Sequence, residues 1–96
     1  RTCKSILDKL PIENHARVWK EEIYFEIPVN VDDENSTTFV KKGDIAYYPP
    51  MNAFCIFFGN SQPIGPVNLI GKLNKPDMFS LVKNRDTIRL ELYEDE

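Results

Sequence analysis

Few side chains in this 96-residue chain could do chemistry, and the most suggestive cluster lies between positions 17 and 25. Glu21 and Glu22 are adjacent, and in a strand adjacent side chains point to opposite faces, so a shared acid–base pair is not expected. Glu22 facing inward would need a partner, because an unpaired buried carboxylate is costly; Arg17 and Lys42 are the candidates. A polar spot beside aromatic rings has the character of a binding site. Trp19, Tyr24 and Phe25 supply those rings, and read either as a wall for a ligand or as strand residues of a core.

The other reactive types are isolated. Cys55 lies in the apolar run Ala53-Phe54-Cys55-Ile56-Phe57-Phe58, where a thiol behaves as a small hydrophobe, and the single histidine, His15, is distant in sequence and expected to be exposed. Cys3 and Cys55 give neither a disulfide framework nor metal-ligand spacing, so no metal and no cofactor is expected. The run Tyr47-Tyr48-Pro49-Pro50 reads as a rigid turn closing a strand, or as a proline-recognition surface. Gly59 and Gly71 read as turn or close-approach positions, since no phosphate-binding glycine motif follows a strand. Asn68, on an otherwise apolar strand, is either a structural amide bonding a loop or a site residue.

These residues must be positioned by a single small domain over residues 1–96. A chain of this length needs one compact core, and its 42% hydrophobic residues supply one. No stretch approaches the roughly 20 apolar residues of a membrane span, so no membrane association is expected. The net charge of −3, from 12 basic and 15 acidic side chains, repels phosphate backbones, so nucleic acid is not an expected partner. The acidic runs Asp32-Asp33-Glu34 and Glu94-Asp95-Glu96 read as a solvated loop and a frayed tail. The absence of cysteine staples fits a reducing compartment and a cytoplasmic protein. The chain opens on Arg1, which suggests that a preceding strand is missing.

The elements follow from pattern. Thr2 is placed to cap a helix over residues 3–10, with Cys3, Ile6, Leu7 and Leu10 on its buried face and Pro11 as its stop. Glu22 to Ile27 is rich in β-branched and aromatic residues and reads as a strand. Gly43-Asp44 signals a turn into the strand Ile45 to Tyr48. Ala53 to Phe58 is apolar on both faces and must be a central, doubly covered strand. Residues 60–66 form a loop, Val67 to Leu73 a strand, and Pro76 to Val82 one or two helical turns. The final strand points Ile88, Leu90 and Leu92 one way and Arg89, Glu91 and Tyr93 the other. Short strands separated by frequent turn signals predict an all-β barrel or sandwich.

Four segments, taken in order, resemble a family of small bacterial and archaeal proteins with a cyclophilin-like fold and no settled function. They are residues Trp19 to Phe25, Gly43 to Pro50, Phe54 to Gly59 and Pro66 to Gly71, and the resemblance covers roughly residues 1–73. It implies a small closed β-barrel with one or two short helices, and an opening strand before the first helix. The loop over residues 60–66 is shorter than is usual in that family. True cyclophilins are prolyl isomerases whose arginine bonds the prolyl amide as it twists, lowering a barrier of about 18–20 kcal/mol. Their run Arg-Ile-Ile-Pro-Gly-Phe-Met-x-Gln, laid on this chain, starts at Arg17. Glu22 then replaces the pocket Phe and Phe25 the Gln, while Phe58 is left to line an apolar groove.

Two main functions follow as expectations. One is a non-catalytic module that holds a small molecule or a peptide segment near Trp19, Glu22, Tyr24, Phe25, Phe58 and Asn68. The other is a weak prolyl isomerase that uses Arg17, which requires Arg17 and Phe58 in one groove. Self-association into a homo-oligomer, through an edge left by an absent first strand, is a third reading.

Overall fold

A computed structural model describes residues 2–91; the final-strand residues Leu92 and Tyr93 and the acidic tail lie outside them. Helix α1 spans Thr2–Leu7. The strands are β1 (Ile12–His15), β2 (Arg17–Trp19), β3 (Glu22–Glu26), β4 (Asp44–Tyr48), β5 (Ala53–Phe57), β6 (Asn68–Lys72) and β7 (Thr87–Leu90). Short 3₁₀ helices cover Pro49–Met51 and Pro76–Leu81. The fold is therefore dominated by β-structure, with few short helices.

All the pairings are antiparallel, and they form a five-stranded sheet in the order β2-β3-β5-β4-β6 and a two-stranded sheet of β1 and β7. Among the described residues no ladder joins the two sheets into a ring, so the strand pairing leaves the expected closed barrel unconfirmed. Strand β2 is one edge of the larger sheet. This edge strand has only three residues, and its Val18 N–H donates to the side-chain Oδ1 of Asn84 (2.7 Å), not to another strand. The sequence pattern does not reveal β1 and β2, whose residues alternate poorly. Only buried Ala16 separates them, and the chain passes there from one sheet to the other. Such strand switching makes the corner of a two-layer β-structure.

Strand β5 sits in the middle of the larger sheet and all five of its residues are buried, as its unbroken apolar run requires. Phe54 and Ile56 enter a core shared with Ile6, Ile12, Ile23, Phe25 and Tyr47, under α1 and the β1–β7 pair. The rings of Phe25 and Phe54 lie 5.4 Å apart at a 33° tilt. Ala53, Cys55 and Phe57 enter a second cluster with Val40, Ala46 and Val67 on the opposite face. Loop residues, not helices, cover that second face.

The helix is shorter than its periodicity suggests, and of the four apolar positions expected to face inward only Ile6 is buried; Leu10 is half-buried, while Cys3 and Leu7 are exposed. Six residues make under two turns, so the buried face holds only Thr2 and Ile6, four positions apart. Thr2 is inside the helix and is not its cap. The acceptor at that end is Glu34 Oε1, which takes the Thr2 N–H (3.0 Å) and hydroxyl (2.8 Å). The acidic loop is thus partly structural, with Asp32 and Asp33 exposed and Glu34 half-buried. Gly43, with φ 94°, supplies the left-handed turn into β4; its N–H donates to Phe57 O at 2.7 Å.

Tyr47 locks the first core to the loop that follows β3. Its ring is fully buried, and its hydroxyl donates to Val29 O (2.6 Å), with Asn52 Oδ1 at 3.0 Å as a second acceptor. The same oxygen accepts the Val31 N–H at 3.2 Å. Tyr47→Phe leaves these buried groups without their partner, and should lower stability by about 1–3 kcal/mol in urea unfolding, with no change in secondary structure.

Candidate functional site

The β2–β3 hairpin builds one wall of a cavity. Its register sets Arg17 opposite Tyr24 and Trp19 opposite Glu22, so these four residues share a face. The two-residue turn holds Lys20 in the left-handed region (φ 55°), and its ammonium lies 4.6 Å from the centre of the Trp19 ring. On the neighbouring strand Cys55 opposes Tyr24 and Phe57 opposes Glu22, which places the Cys55 thiol diagonally beside the Glu22 carboxyl. Tyr48 enters from β4, Met51 from the 3₁₀ turn, and Pro63 and Ile64 from the loop. Together they enclose a cavity of about 190 Å³ whose lining is mostly apolar, with Glu22 in its wall.

Glu22 is the unusual member. Only 7% of it is exposed, and among the described residues no cation lies within ion-pair distance. Neither expected partner serves it, because Lys42 pairs with Asp77 and Arg17 is exposed outside this cavity. Burial raises the Glu22 pKa above its usual 4.5, and the neighbouring Cys55 thiol, whose hydrogen-bond acceptor is Ala53 O (3.9 Å), partly offsets that rise. The thiol is pushed up in turn, first by burial and then by the Glu22 charge. Cys55 stays protonated and unreactive, as its apolar run suggests.

Glu21 points away from this cavity, as alternation requires. Its Oε1 accepts the Asn60 N–H (2.9 Å), and its own N–H donates to Ser61 Oγ (3.1 Å), which ties the loop to the hairpin. The carboxyl lies directly over Gly59, where any β-carbon would collide with it, so Gly59 is a close-approach position. Gly71 is not one: it sits in β6 beside the bulge opposite Ile45 and Ala46, with open space where a side chain would be.

Of the residues singled out in sequence, the fold brings Trp19, Glu22 and Tyr24 together. Phe25 lies on the reverse face, in the core against Phe54. Phe58 packs on that same core, whereas Arg17 faces the other side of the sheet, so the two do not share a groove. Asn68 is structural. Its Oδ1 accepts the Glu34 N–H (2.8 Å), and its Nδ2 donates to Asp32 O (3.1 Å) and Thr2 Oγ1 (3.3 Å). Tyr47 and Tyr48 divide the two readings of their motif, one closing the core and the other lining the cavity. Tyr48 and Cys55 also line it, and Met51, Ala53, Pro63, Ile64 and Val67 complete the lining without a signal of their own in the sequence.

The Cys55 thiol, held protonated beside the Glu22 carboxyl, is not an activated nucleophile. Among the described residues no three His, Cys, Asp or Glu side chains gather as a metal site. The raised Glu22 pKa has a signed consequence. Between pH 4.5 and the higher folded value, the folded protein keeps a proton that the unfolded chain has lost. Stability from this group is therefore complete below pH 4.5 and falls as pH rises through that window. Glu22→Gln lacks the slope, so its stability relative to the unsubstituted protein should climb between about pH 4 and pH 8 in urea unfolding. Parallel stability curves would show that the carboxyl is solvated.

Comparison with known proteins agrees with this architecture. No curated protein sequence matches the chain significantly. The solution structure of a hypothetical protein from Archaeoglobus fulgidus is similar, with a TM-score of 0.78 and 36% sequence identity, covering 94% of this chain and 76% of that one. A family profile described as Cyclophilin-like matches residues 1–91, beyond the roughly 73 residues of the sequence resemblance. With the profile spanning both sheets and helix α1, the chain belongs to the cyclophilin-like family.

Proposed function

We propose that this protein is a non-catalytic binding module that takes a small, mainly apolar ligand, or one apolar side chain of a peptide, into the cavity around Glu22. The observation that carries the reading is a glutamate only 7% exposed, without a cation partner among the described residues, in the wall of an aromatic-lined cavity. A buried polar group without a strong partner is costly unless something compensates for it. A ligand with one hydrogen-bonding group would do so. Size narrows the class further. An apolar cavity of about 150 Å³ suffices for benzene, so about 190 Å³ suits one ring or one branched chain with a small substituent.

The isomerase alternative has less support, because Arg17 and Phe58 lie on opposite faces of the larger sheet. Both cysteines are free, which fits the reducing, cytoplasmic setting expected from their number. Among the described residues no helix is long and apolar enough to cross a membrane.

A screen of single-ring fragments by ¹H–¹⁵N NMR tests the binding reading. Hits should shift the Trp19 indole N–H and the Tyr24, Cys55 and Val67 amides, and Glu22→Gln should weaken ligands that donate to the carboxylate by about tenfold or more. Hits confined to other surfaces would contradict it. In a proline peptide, stoichiometric protein should leave cis/trans exchange unchanged; acceleration that disappears in Arg17→Ala would restore the isomerase reading.

A further inference from the structure

A second hollow opens on the other side of Tyr24, and its polar lining is His15, Arg17, Asn84 and Arg85. The backbone fixes these groups around buried Ala16. The Ala16 N–H donates to Asp86 O and the Arg85 N–H donates to Ala16 O, both at 2.7 Å. These bonds lie just past the end of the β1–β7 ladder at His15 and Thr87, and set Arg85 across from the corner that His15 and Arg17 flank. Asn84 is oriented by its neighbour. Its Oδ1 accepts the Val18 N–H at 2.7 Å, and its Nδ2 makes no hydrogen bond among the described residues.

The charges here are unbalanced. Among the described residues neither Arg17 nor Arg85 has a carboxylate within 4.0 Å, whereas Arg89 bridges both Glu13 and Glu91. The nearest carboxylate in sequence, Asp86, turns its Oδ2 to the Lys83 N–H. Glu26 borders the next hollow, beyond Arg17, without forming an ion pair with it. A chain of net charge −3 thus keeps two guanidinium groups without a carboxylate partner among the described residues at one concave place, beside the Asn84 amide and an imidazole. Guanidinium groups present paired N–H donors that match carboxylate and phosphate oxygens.

We propose that this hollow is an oxyanion site, which holds the carboxylate or phosphate group of a small molecule between Arg17, Arg85 and the Asn84 amide. It shares only Tyr24 with the aromatic cavity and stands whether or not that cavity binds a ligand.

The test titrates the protein separately with inorganic phosphate and with acetate at constant ionic strength, following the Arg Nε–H and Asn84 side-chain signals by ¹⁵N NMR. Saturable shifts at Arg17, Arg85 and Asn84 with either anion support the site, and the tighter anion names the ligand class. Arg17→Ala and Arg85→Asn should each weaken binding by at least about fivefold. Asn is chosen because Arg85 has φ 76°, a conformation Asn tolerates. Lys4→Ala, which removes the same unit of charge from α1, should leave affinity unchanged. No saturable shift with either anion would overturn the proposal, as would an unaltered response in the Arg17→Ala/Arg85→Asn double variant.

Discussion

The burial of β5 on both faces is the constraint on which the rest of this structure depends. Ala53 to Phe57 offers no polar side to water, so each face of the sheet must be covered. Helix α1 and the β1–β7 pair cover one face, and Tyr47 ties that layer to the chain at Val29 and Val31. Lacking a helix of its own, the other face is covered by loop residues such as Val40 and Val67. Where that loop cover meets the β2–β3 hairpin it does not fill the space, and the cavity beside Glu22 is the part left over.

Glu22 shows how one polar residue changes the meaning of an apolar surface. A leucine there would extend the second cluster and leave a packing defect. A carboxyl there brings a desolvation cost, met only in part by the Cys55 thiol. Its neighbour Glu21, one position away and on the other face, spends its charge on the Asn60 N–H and steadies the loop that forms the cavity rim. The hairpin thus uses one carboxylate to hold a loop and sets the other in the cavity wall.

Much of the fold is legible in the sequence because it rests on local signals. The two-faced run of β5, the Gly43-Asp44 turn and Pro76 each fix an element by their own chemistry. The short strands β1 and β2 are not legible, because their polar residues satisfy the sheet corner and give no alternation to read. The helix looks too long in sequence because periodicity does not report where the chain must leave the sheet. The site divides in the same way. Trp19, Glu22 and Tyr24 share a face by hairpin register, which alternation within β3 already implies. Phe25 departs from them by that same alternation. Ile64, Met51 and Val67 join them through loop conformation, for which sequence has no period. Asn68 needed its partners in view, since an amide bonding Asp32, Glu34 and Thr2 reads from sequence like one awaiting a ligand.

The central claim is that a desolvated carboxyl lines the cavity. The most direct measurement is the ¹³C NMR titration of the Glu22 side-chain carboxyl in the folded protein. The structure predicts a midpoint above 4.5, raised further when a neutral apolar fragment occupies the cavity and displaces water. A midpoint at or below 4.5, unmoved by any fragment, would mean that water or a cation reaches the carboxyl, and would contradict the account.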